Sequence, residues 1–358
     1  MKILSIETSC DETAVSILEI EGELSHPRIK VLGNTLLSQI AIHEQYGGVY
    51  PMLAKREHQK NLPILLEQTL KEADVDTECP HLDFIAVTTG PGLEPALWVG
   101  ITFAEELGKR WNKPVVSVNH MEGHVFSVLY NLDKPLQLPA LALLVSGGHT
   151  ELVDIKDFGN YEIMGRTKDD AVGEAFDKVA RMLGLSYPGG PKISALAKES
   201  RDKNNISPIK FTRPMINSHD LNFSFSGLKT AVLYKLRSEK EITEDFKASV
   251  AREFEESVTE VLVEKTREAL DKLHDTKSLI IAGGVSANTY LKESFTKLME
   301  EFPEITLYFP AKELSTDNAI MIAIAGFVRV TLDPSLLENK IILSANGNLS
   351  ISSTPHLG

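Results

Sequence analysis

Two segments of this chain repeat one local design, an apolar strand followed by a short polar turn and a second strand. In residues 2–20, KILSIET and TAVSILEI flank the turn SCDE; in residues 138–155, LPALALLV and TELVDI flank the turn SGGH. A supersecondary unit that recurs far along the chain predicts a duplicated domain, each copy offering a turn to one central cleft. Two unrelated hairpins would give the same pattern, so this feature alone leaves both interpretations open.

The length of the chain and its strand–helix rhythm favour two α/β domains. A chain of 358 residues exceeds the roughly 250–300 residues at which single hydrophobic cores stop growing. After the first hairpin, DFIAVTT, ITFAEELGKRW, PVVSVNH and EGHVFSVLYNL alternate as strand and helix, which is typical of parallel strands joined by crossover helices. We predict a first lobe at 1–132, a second lobe at 133–325 whose last helix can pack back on the first, and a segment with a poorly ordered polar tail at 326–358.

Composition and charge exclude several classes of protein. No run of ~18 apolar residues is present and MKILSIETSC enters a strand without a signal-peptide cleavage site, so we expect a cytoplasmic protein with no membrane segment. Cys10 and Cys79 are the only cysteines, which rules out a disulfide framework and fits a reducing compartment. The net charge of −13 argues against broad electrostatic binding of nucleic acid, which would need a partner or one local basic surface.

His120 and His124 are candidate metal ligands. They lie four residues apart in VNHMEGH, so both imidazoles fall on one face of a helix that begins where a strand ends. Asp317 in LSTDNA offers a third ligand, and two imidazoles with one carboxylate suit Fe(II) or Zn(II). The alternatives are two partly buried structural histidines and, for Asp317, a helix N-cap, which the residue type alone favours.

The acid beside the histidine pair is out of place for a zinc peptidase. The motif H-E-x-x-H puts a glutamate directly after the first histidine, where this chain has Met121. Glu122 follows one residue later, which turns its carboxylate about 100° around the helix. We therefore do not expect Glu122 to act as a general base on metal-bound water.

Two glycine pairs are candidate phosphate-binding loops. Gly147 with Gly148, and Gly283 with Gly284, each follow an apolar strand, where a backbone without side chains can approach a phosphate closely. Neither pair matches the Rossmann or the P-loop motif, which disfavours both kinds of site, and a glycine pair can also be a simple turn.

Acids and glycines at other turns are weaker candidates. Asp11 and Glu12, on the first hairpin turn, could organise a metal-bound nucleotide or assist proton transfer, or be ordinary turn acids. Asp177 and Gly190 could contact a ribose, and the alternative is a surface acid and a turn glycine.

Ten motifs along the chain together resemble the TsaD family, the catalytic subunits of tRNA threonylcarbamoyladenosine synthesis that were once classed as glycoproteases. In chain order, the motifs are IETSCDETAVSI, SQIAIHEQYGGVYPMLAKREH, TTGPGL, VNHMEGH, LLVSGGHTEL, DDAVGEAFDKVARMLGL, YPGGP, FSFSGLKTAV, AGGVSAN and STDNA. They extend over residues 1–325. The resemblance implies a two-lobed actin-like, Hsp70-like ATPase (ASKHA) fold with duplicated βββαβα lobes around a central cleft.

The resemblance also implies a reaction and a site. The threonylcarbamoyl group would pass from threonylcarbamoyl-AMP to N6 of the adenosine just 3′ of the anticodon, in tRNAs that read codons beginning with A. A metal would be held by His120, His124 and Asp317, with Fe(II) expected and Zn(II) or Mg(II) as alternatives. The adenylate would contact Leu144, Val145, Ser146, Gly147, Gly148, Asp177, Gly190 and Asn288. Our hypothesis for the acceptor of the amine proton is Asp11 or Glu12.

The partners that the resemblance implies are tRNA, an inactive TsaB-like paralogue bound through N-lobe helices, a TsaE-like P-loop ATPase, and the enzyme that makes threonylcarbamoyl-AMP.

Pro95 and Trp98 depart from the small residues usual after GPG. Leu144 stands where archaeal and eukaryotic relatives commonly have a tyrosine near the metal, which indicates the bacterial branch and a three-residue metal site. The alternative functions are a small-molecule kinase or ATPase of the same fold, a non-catalytic regulatory partner, and a metallopeptidase.

Overall fold

The structure, a computed structural model, describes residues 1–203, 209–338 and 342–353. Contacts within the chain divide it into two units. Unit 1 comprises Met1–Gln137, Ile155–Tyr161 and Pro310–Gly358, and unit 2 comprises Leu138–Asp154 and Glu162–Phe309.

Strands and helices alternate over residues 84–126, as the sequence pattern predicts, and come in runs in other parts of the chain. The strands in the described ranges are β1 (Lys2–Glu7), β2 (Glu12–Glu23), β3 (His26–Ser38), β4 (Phe84–Gly90), β5 (Val115–Asn119), β6 (Ala140–Val145), β7 (Thr150–Asp157), β8 (Asn160–Arg166), β9 (Ser278–Ala282) and β10 (Thr306–Tyr308). The helices are α1 (Ile40–His43), α2 (Pro51–Glu72), α3 (Glu94–Trp111), α4 (His120–Phe126), α5 (Val172–Met182), α6 (Gly189–Asp202), α7 (Ser226–Ser238), α8 (Glu244–Lys272), α9 (Thr289–Leu298) and α10 (Ala319–Leu332).

Unit 1 is built on a mixed sheet with the strand order β3-β2-β1-β4-β5. The first three strands form an antiparallel meander, whereas β4 and β5 continue the sheet parallel to β1. Helix α3 follows β4, and α4 follows β5 without an intervening loop. The carboxyl ends of β1, β4 and β5 therefore share one edge of the sheet, the edge at which ligands bind in open α/β sheets.

Helix α10 is apolar on nearly every side and is buried within unit 1. Apart from Arg329, its residues 319–330 are buried, as expected for a helix that is apolar all round. It packs on β1, β2 and β5. Ser5 on β1 donates a hydrogen bond from Oγ to the carbonyl oxygen of Ala319 (2.6 Å), so that the start of α10 is fixed beside the first strand.

The division into units differs from the predicted ranges 1–132, 133–325 and 326–358. The boundary falls at Pro310 rather than after residue 325, and α10, the last helix, packs back on the N-terminal part of the chain as expected. The physical reason is the apolar face that the first sheet would otherwise expose to water, because α10 covers that face.

Unit 2 repeats the topology of unit 1. Its sheet has the order β10-β9-β6-β7-β8, with β9 parallel to β6 and β10 parallel to β9. Only four residues join β6 to β7, too few for a parallel crossover, so these strands form a hairpin. Strands β6 to β10 thus correspond in order to β1 to β5, and the predicted duplication of the strand pattern is confirmed.

The polar tail makes hydrogen bonds to other elements of unit 1 at residues 342–353, which differs from the prediction of poor order, and residues 339–341 and 354–358 lie outside the described ranges. Asn346 donates its backbone N–H to the carbonyl oxygen of Thr89 (2.9 Å). Asn119 donates from Nδ2 to the carbonyl oxygen of Ser350 (3.1 Å). A segment rich in serine and asparagine can be ordered in this way when the backbone groups of other elements provide its hydrogen-bond partners.

Within the described ranges, none of the helices combines the length and the apolar character needed to span a membrane.

Candidate functional site

His120 and His124 face the same way from α4, at the carboxyl edge of the first sheet. Asn119, the last residue of β5, caps this helix by accepting the backbone N–H of Met121 at Oδ1 (2.8 Å). The cap fixes the first turn of α4, and the spacing of four residues then brings the two imidazole centroids within 4.6 Å of each other. Both side chains are buried.

Asp317 meets this histidine pair although it lies far away in the sequence. Its Oδ1 is 3.3 Å from His120 Nε2 and 3.2 Å from His124 Nε2. The cap interpretation of Asp317 is wrong, because Asn318 caps α10 by accepting the backbone N–H of Met321 at Oδ1 (2.9 Å). One ligand atom from each of the three residues lies within 4.8 Å of the others.

The three side chains fit a bound divalent cation. His124 is fully buried, and neither of its ring nitrogens makes a well-aligned hydrogen bond, an arrangement that is costly unless something else satisfies them. Burial raises the pKa of Asp317, but the charge and hydrogen bond of His120 outweigh this and hold the pKa well below its usual range. An ionised carboxylate between two imidazoles is the donor set of an open transition-metal site.

Glu7, which the sequence analysis missed, contacts His120 at Nδ1, the ring nitrogen that does not face Asp317. Its Oε2 lies 3.0 Å from His120 Nδ1 and accepts a hydrogen bond from Thr88 Oγ1 (2.7 Å). Its Oε1 accepts the backbone N–H of Ser9. Burial raises the pKa of Glu7, but His120 outweighs the burial and the net pKa is lowered. A carboxylate on Nδ1 fixes the tautomer that leaves Nε2 free for a cation.

Replacing Glu7 with Gln should weaken metal binding by about 10–100-fold, the usual effect of changing the hydrogen-bond partner of a ligating histidine. Glutamine has one side-chain oxygen and no charge, so it cannot accept from both His120 and the Ser9 backbone. Metal affinity is measured by competition with a chromogenic chelator. Glu21→Gln, at an exposed position of β2, is the matched control. An E7Q chain that holds metal as tightly as the parent would contradict this role.

The turn with Asp11 and Glu12 lies in unit 1, directly after Glu7 and Ser9. Asp11 is buried, and its carbonyl oxygen accepts the backbone N–H of Gln39 (2.9 Å). Burial, together with the negative charges of Asp11 and Asp317, raises the pKa of Glu12 well above its usual value. A raised pKa means that this carboxyl group holds a proton more readily than an ordinary glutamate, a property that general acid–base catalysis can use.

Glu122 makes its contacts away from the histidine pair, within unit 1. Tyr161 donates its hydroxyl to Glu122 Oε1 (2.8 Å), and the carboxylate is buried. Burial raises the pKa of Glu122, although Arg329 opposes this. The structure therefore agrees with the sequence argument that Glu122 is not the general base of a zinc peptidase.

The two glycine pairs adjoin each other in unit 2. Ser146 donates its backbone N–H to the carbonyl oxygen of His149 (2.9 Å), which closes the turn that carries Gly147 and Gly148. A Cβ at either glycine would meet nothing within 4 Å. Gly283 is different, because it has a φ of +95° and a Cβ there would lie 2.5 Å from the carbonyl oxygen of Val145. The first pair leaves its backbone open, while Gly283 holds the second loop against the end of β6.

Leu144 and Val145 end β6 with fully buried side chains. Their side chains are therefore not accessible to a ligand. Asp177 on α5 accepts the backbone N–H of Gly189 at Oδ1 (2.7 Å) and so holds the start of α6. A Cβ at Gly190, the next residue, would meet nothing within 4 Å, so this part of the YPGGP turn is open.

Asn288 has a clear structural role at the start of α9. Its Oδ1 accepts the backbone N–H of Leu291 (2.9 Å), and its Nδ2 donates to Ser194 Oγ (2.8 Å) and Glu255 Oε1 (2.7 Å). Glu255 is fully buried on α8 and also pairs with Arg201. No sequence pattern points to this acid, since one glutamate among many in an amphipathic helix does not show which face it occupies.

Comparison with known proteins identifies the family. The profile of the family described as "TsaD: tRNA N6-adenosine threonylcarbamoyltransferase" matches residues 30–324. The chain belongs to the TsaD family. It is 48% identical over 332 residues to a TsaD-family protein of Persephonella marina named tRNA N6-adenosine threonylcarbamoyltransferase, covering 92% of this chain and 90% of the relative. Proteins of the same name from Thermosipho africanus (46% over 330 residues, 91% and 94% covered) and Dictyoglomus turgidum (45% over 350 residues, 98% of each) are also similar.

Solved structures resemble this TsaD-family chain in fold. Full-length HypF in a phosphate- and nucleotide-bound form aligns with a TM-score of 0.60 at 13% identity, and HypF of T. kodakarensis aligns with a TM-score of 0.62 at 11% identity. Each alignment covers 94% of this chain but only 47% and 50% of the respective HypF chain, so the chain spans about half of HypF. The predicted ASKHA fold class is confirmed by the family and by the repeated strand order.

Proposed function

We propose that this chain transfers the threonylcarbamoyl group of threonylcarbamoyl-AMP to N6 of the adenosine just 3′ of the anticodon, in tRNAs that read codons beginning with A. The observation that carries the proposal is the convergence of His120, His124 and Asp317 in a chain that matches the TsaD family over most of its length. Relatives 45–48% identical carry the name of this activity.

In this proposal unit 1 holds the metal. His120, His124 and Asp317 would be its ligands, and Glu7 would orient His120. Fe(II) is the metal that we propose, with Zn(II) and Mg(II) as alternatives. When bound, the ion supplies positive charge that polarises the acyl group of the substrate.

Unit 2 would bind the adenylate. The exposed backbone of Gly147 and Gly148 offers N–H donors to the phosphate without side chains in the way, on a turn that Ser146 closes through its own N–H to His149. The backbone of Leu144 and Val145 would line the same loop. A separate group of residues would contact the nucleoside: Asp177, Gly190 and Asn288.

The proton of the attacking amine needs an acceptor on this chain. As the amine nitrogen bonds to the carbamoyl carbon, the bond from that carbon to the phosphate oxygen breaks, AMP leaves, and the amine loses a proton. Glu12 is the acceptor that its environment favours, because burial and the charge of Asp11 raise its pKa and so make it a stronger base than an ordinary glutamate. Asp11, buried beside it in the same turn, would maintain that environment or take the proton itself.

The double change of Asp11 to Asn and Glu12 to Gln should slow single-turnover transfer by about 10²–10⁴-fold, the usual contribution of a general base. Rapid-quench measurement with preformed threonylcarbamoyl-AMP isolates this step from binding. Glu23→Gln, at the exposed far end of β2, should transfer at the parental rate. Unchanged transfer in the double variant would remove both residues from the mechanism.

The proposed partners are tRNA, a TsaB-like inactive paralogue, a TsaE-like P-loop ATPase and the enzyme that supplies threonylcarbamoyl-AMP, all in the cytoplasm. The paralogue would dock on the N-lobe helices α2 and α3, where Ile64 and Trp98 are exposed. This gives the unusual Trp98 a role in a partner surface. A small-molecule kinase is not supported, because phosphoryl transfer does not call for protein histidines at the metal and the relatives are named as transferases.

One reconstitution tests the proposal. The chain, its proposed partners, threonine, bicarbonate, ATP and a tRNA that reads an A-initial codon are incubated, and the nucleosides are analysed by mass spectrometry. We expect threonylcarbamoyladenosine only when the chain is present. A phosphorylated small molecule, or no modified nucleoside with an intact supply of threonylcarbamoyl-AMP, would overturn the proposal.

A further inference from the structure

We propose that His58 on α2 is a positioning residue that holds the acids of the first hairpin turn, Asp11 and Glu12, in place for transfer. This inference rests on the proposed function, because His58 would act through the proposed proton acceptor. His58 ends the motif SQIAIHEQYGGVYPMLAKREH and is fully buried in unit 1. A buried imidazole needs a partner for each ring nitrogen, so its contacts show what it holds.

Three successive carbonyl groups of the turn each accept a hydrogen bond from a different part of unit 1. The carbonyl oxygen of Ser9 accepts the backbone N–H of the residue that precedes α3 (2.8 Å), and that of Asp11 accepts the backbone N–H of Gln39 (2.9 Å). The carbonyl oxygen of Cys10, between them, lies 3.0 Å from His58 Nε2. Of these three donors only the imidazole belongs to a side chain, so this contact can be removed by a substitution.

The second ring nitrogen of His58 reaches the other side of the two acids. Thr13 directly follows Glu12, and its hydroxyl oxygen lies 2.8 Å from His58 Nδ1. A carbonyl oxygen can only accept a hydrogen bond, so Nε2 carries the proton and Nδ1 accepts from the Thr13 hydroxyl. One imidazole therefore bridges the residue before Asp11 and the residue after Glu12.

This bridge needs the neutral form of His58. Burial lowers the pKa of His58, although the hydrogen bond to the Cys10 carbonyl and the negative charge of Glu7 oppose this. A neutral ring donates at one nitrogen and accepts at the other, which is the combination that the carbonyl group and the hydroxyl group require. The environment of His58 thus favours the form that the bridge uses.

Gln39 packs against the imidazole and connects it to a second buried histidine. Its Nε2 lies 3.3 Å from His58 Nδ1, and its Oε1 lies 3.2 Å from His43 Nε2. Thr13, Gln39 and His43 are fully buried, as His58 is. In a buried network a broken contact leaves a polar group unsatisfied, which is costly, so such networks are rigid. The turn therefore has little freedom to move its acids.

A buried histidine can also serve the stability of the fold alone. The contacts of His58 favour a positioning role, because they fall on the two residues that flank the acids. None of the hydrogen bonds that the structure describes for His58 involves a ligand of the metal. A shift of about 1 Å at a reacting group can cost about 10²-fold in rate. We therefore expect the rate of transfer to depend on His58, and metal and adenylate binding to be independent of it.

His58→Ala should lower the single-turnover rate by about 10–100-fold, because the Cys10 carbonyl loses its donor and the turn can shift. Transfer is measured by rapid quench with preformed threonylcarbamoyl-AMP in the reconstituted system. The half-saturating concentration of threonylcarbamoyl-AMP and the metal per chain should remain parental. His58→Gln should recover most of the rate, since its amide can donate to Cys10 and accept from Thr13.

The decisive measurement repeats His58→Ala in the chain that already carries Asp11→Asn and Glu12→Gln. A residue that acts through the two acids loses its effect once they are replaced, so the added change should lower the remaining rate by less than about twofold. An equal fold-loss in both backgrounds would overturn the proposal, because His58 would then act independently of the acids.

Two further variants separate position from stability. Thr13→Val removes the hydroxyl that orients the imidazole but keeps a β-branched side chain in β2, so the rate should fall with the fold intact. Leu62→Ala, one turn further along α2, opens a cavity in the apolar core of unit 1 and should lower the thermal midpoint but not the rate. A loss of rate in Leu62→Ala as large as that in His58→Ala would overturn the proposal in favour of general destabilisation.

The outcomes distinguish this role from the proposed function. Parental rates in both His58→Ala and Thr13→Val would overturn the role of His58 and leave the transferase intact. Loss of bound metal in His58→Ala would overturn it in favour of a structural role for the whole site. Absence of threonylcarbamoyladenosine with the parent chain would instead overturn the proposed function, and the role of His58 with it.

Discussion

Replacing Asp317 with Asn should lower single-turnover threonylcarbamoyl transfer by about 10³-fold or more and leave the purified chain with little bound metal. Asparagine keeps the shape of aspartate but removes the charge that faces two imidazoles at 3.2 and 3.3 Å. Losing one of three protein ligands removes several kcal/mol of charge stabilisation, and each 1.36 kcal/mol is tenfold in rate. Metal per chain is measured by plasma mass spectrometry, and transfer by rapid quench.

The control for Asp317 lies four residues earlier. Glu313 is exposed in the same segment, so Glu313→Gln removes one carboxylate charge without touching the histidines. This variant should retain both metal and rate. Circular dichroism checks that D317N remains folded, which we expect because Asn318, not Asp317, caps α10. Normal metal content together with a normal rate in D317N would refute the metal centre.

Replacing Gly283 with Ala should destabilise the chain by about 3 kcal/mol or more. At a φ of +95° and a ψ of 165° the backbone lies in a region that only glycine occupies without strain. The added Cβ would also lie 2.5 Å from the carbonyl oxygen of Val145, so β6 or the loop must shift. For a unit of this size the thermal midpoint should fall by about 6–12 °C, as measured by calorimetry.

Gly284 is the matched control for this prediction. A Cβ there would meet nothing within 4 Å, so Gly284→Ala should change the thermal midpoint little. Because the shift in Gly283→Ala begins at Val145, it should also weaken adenylate binding through the neighbouring turn. Equal thermal midpoints for the two alanine variants would show that the close approach to Val145 is not rigid.

The sequence predicted the histidine pair but not everything that positions it. A spacing of four residues on a helix that starts at a strand end is a local pattern, and it placed His120 and His124 correctly on one face. The carboxylate of Asp317 could be chosen from the sequence only through the family resemblance. Residue type favoured a helix cap there, and a neighbouring asparagine caps the helix instead.

Glu7 shows why some site residues cannot be predicted from the sequence alone. It is a single acid at the end of a strand whose other residues are mostly apolar, and nothing local says that it is buried. Its partners, Thr88 and His120, come from two other strand ends and meet it only when β1, β4 and β5 align. Long-range pairing of this kind depends on the register of the sheet, which turn and hairpin patterns do not specify.

The position of α10 in the chain has a consequence for how the protein is made. The N-terminal hairpin is synthesised first, yet α10, which covers its sheet, is synthesised only after all of unit 2. The nascent part of unit 1 therefore exposes an apolar surface throughout most of translation. The site of His120 and His124 also lacks its carboxylate until Asp317 is synthesised near the end of the chain. Polypeptides terminated before residue 310 should accordingly be chaperone clients that aggregate and cannot load metal.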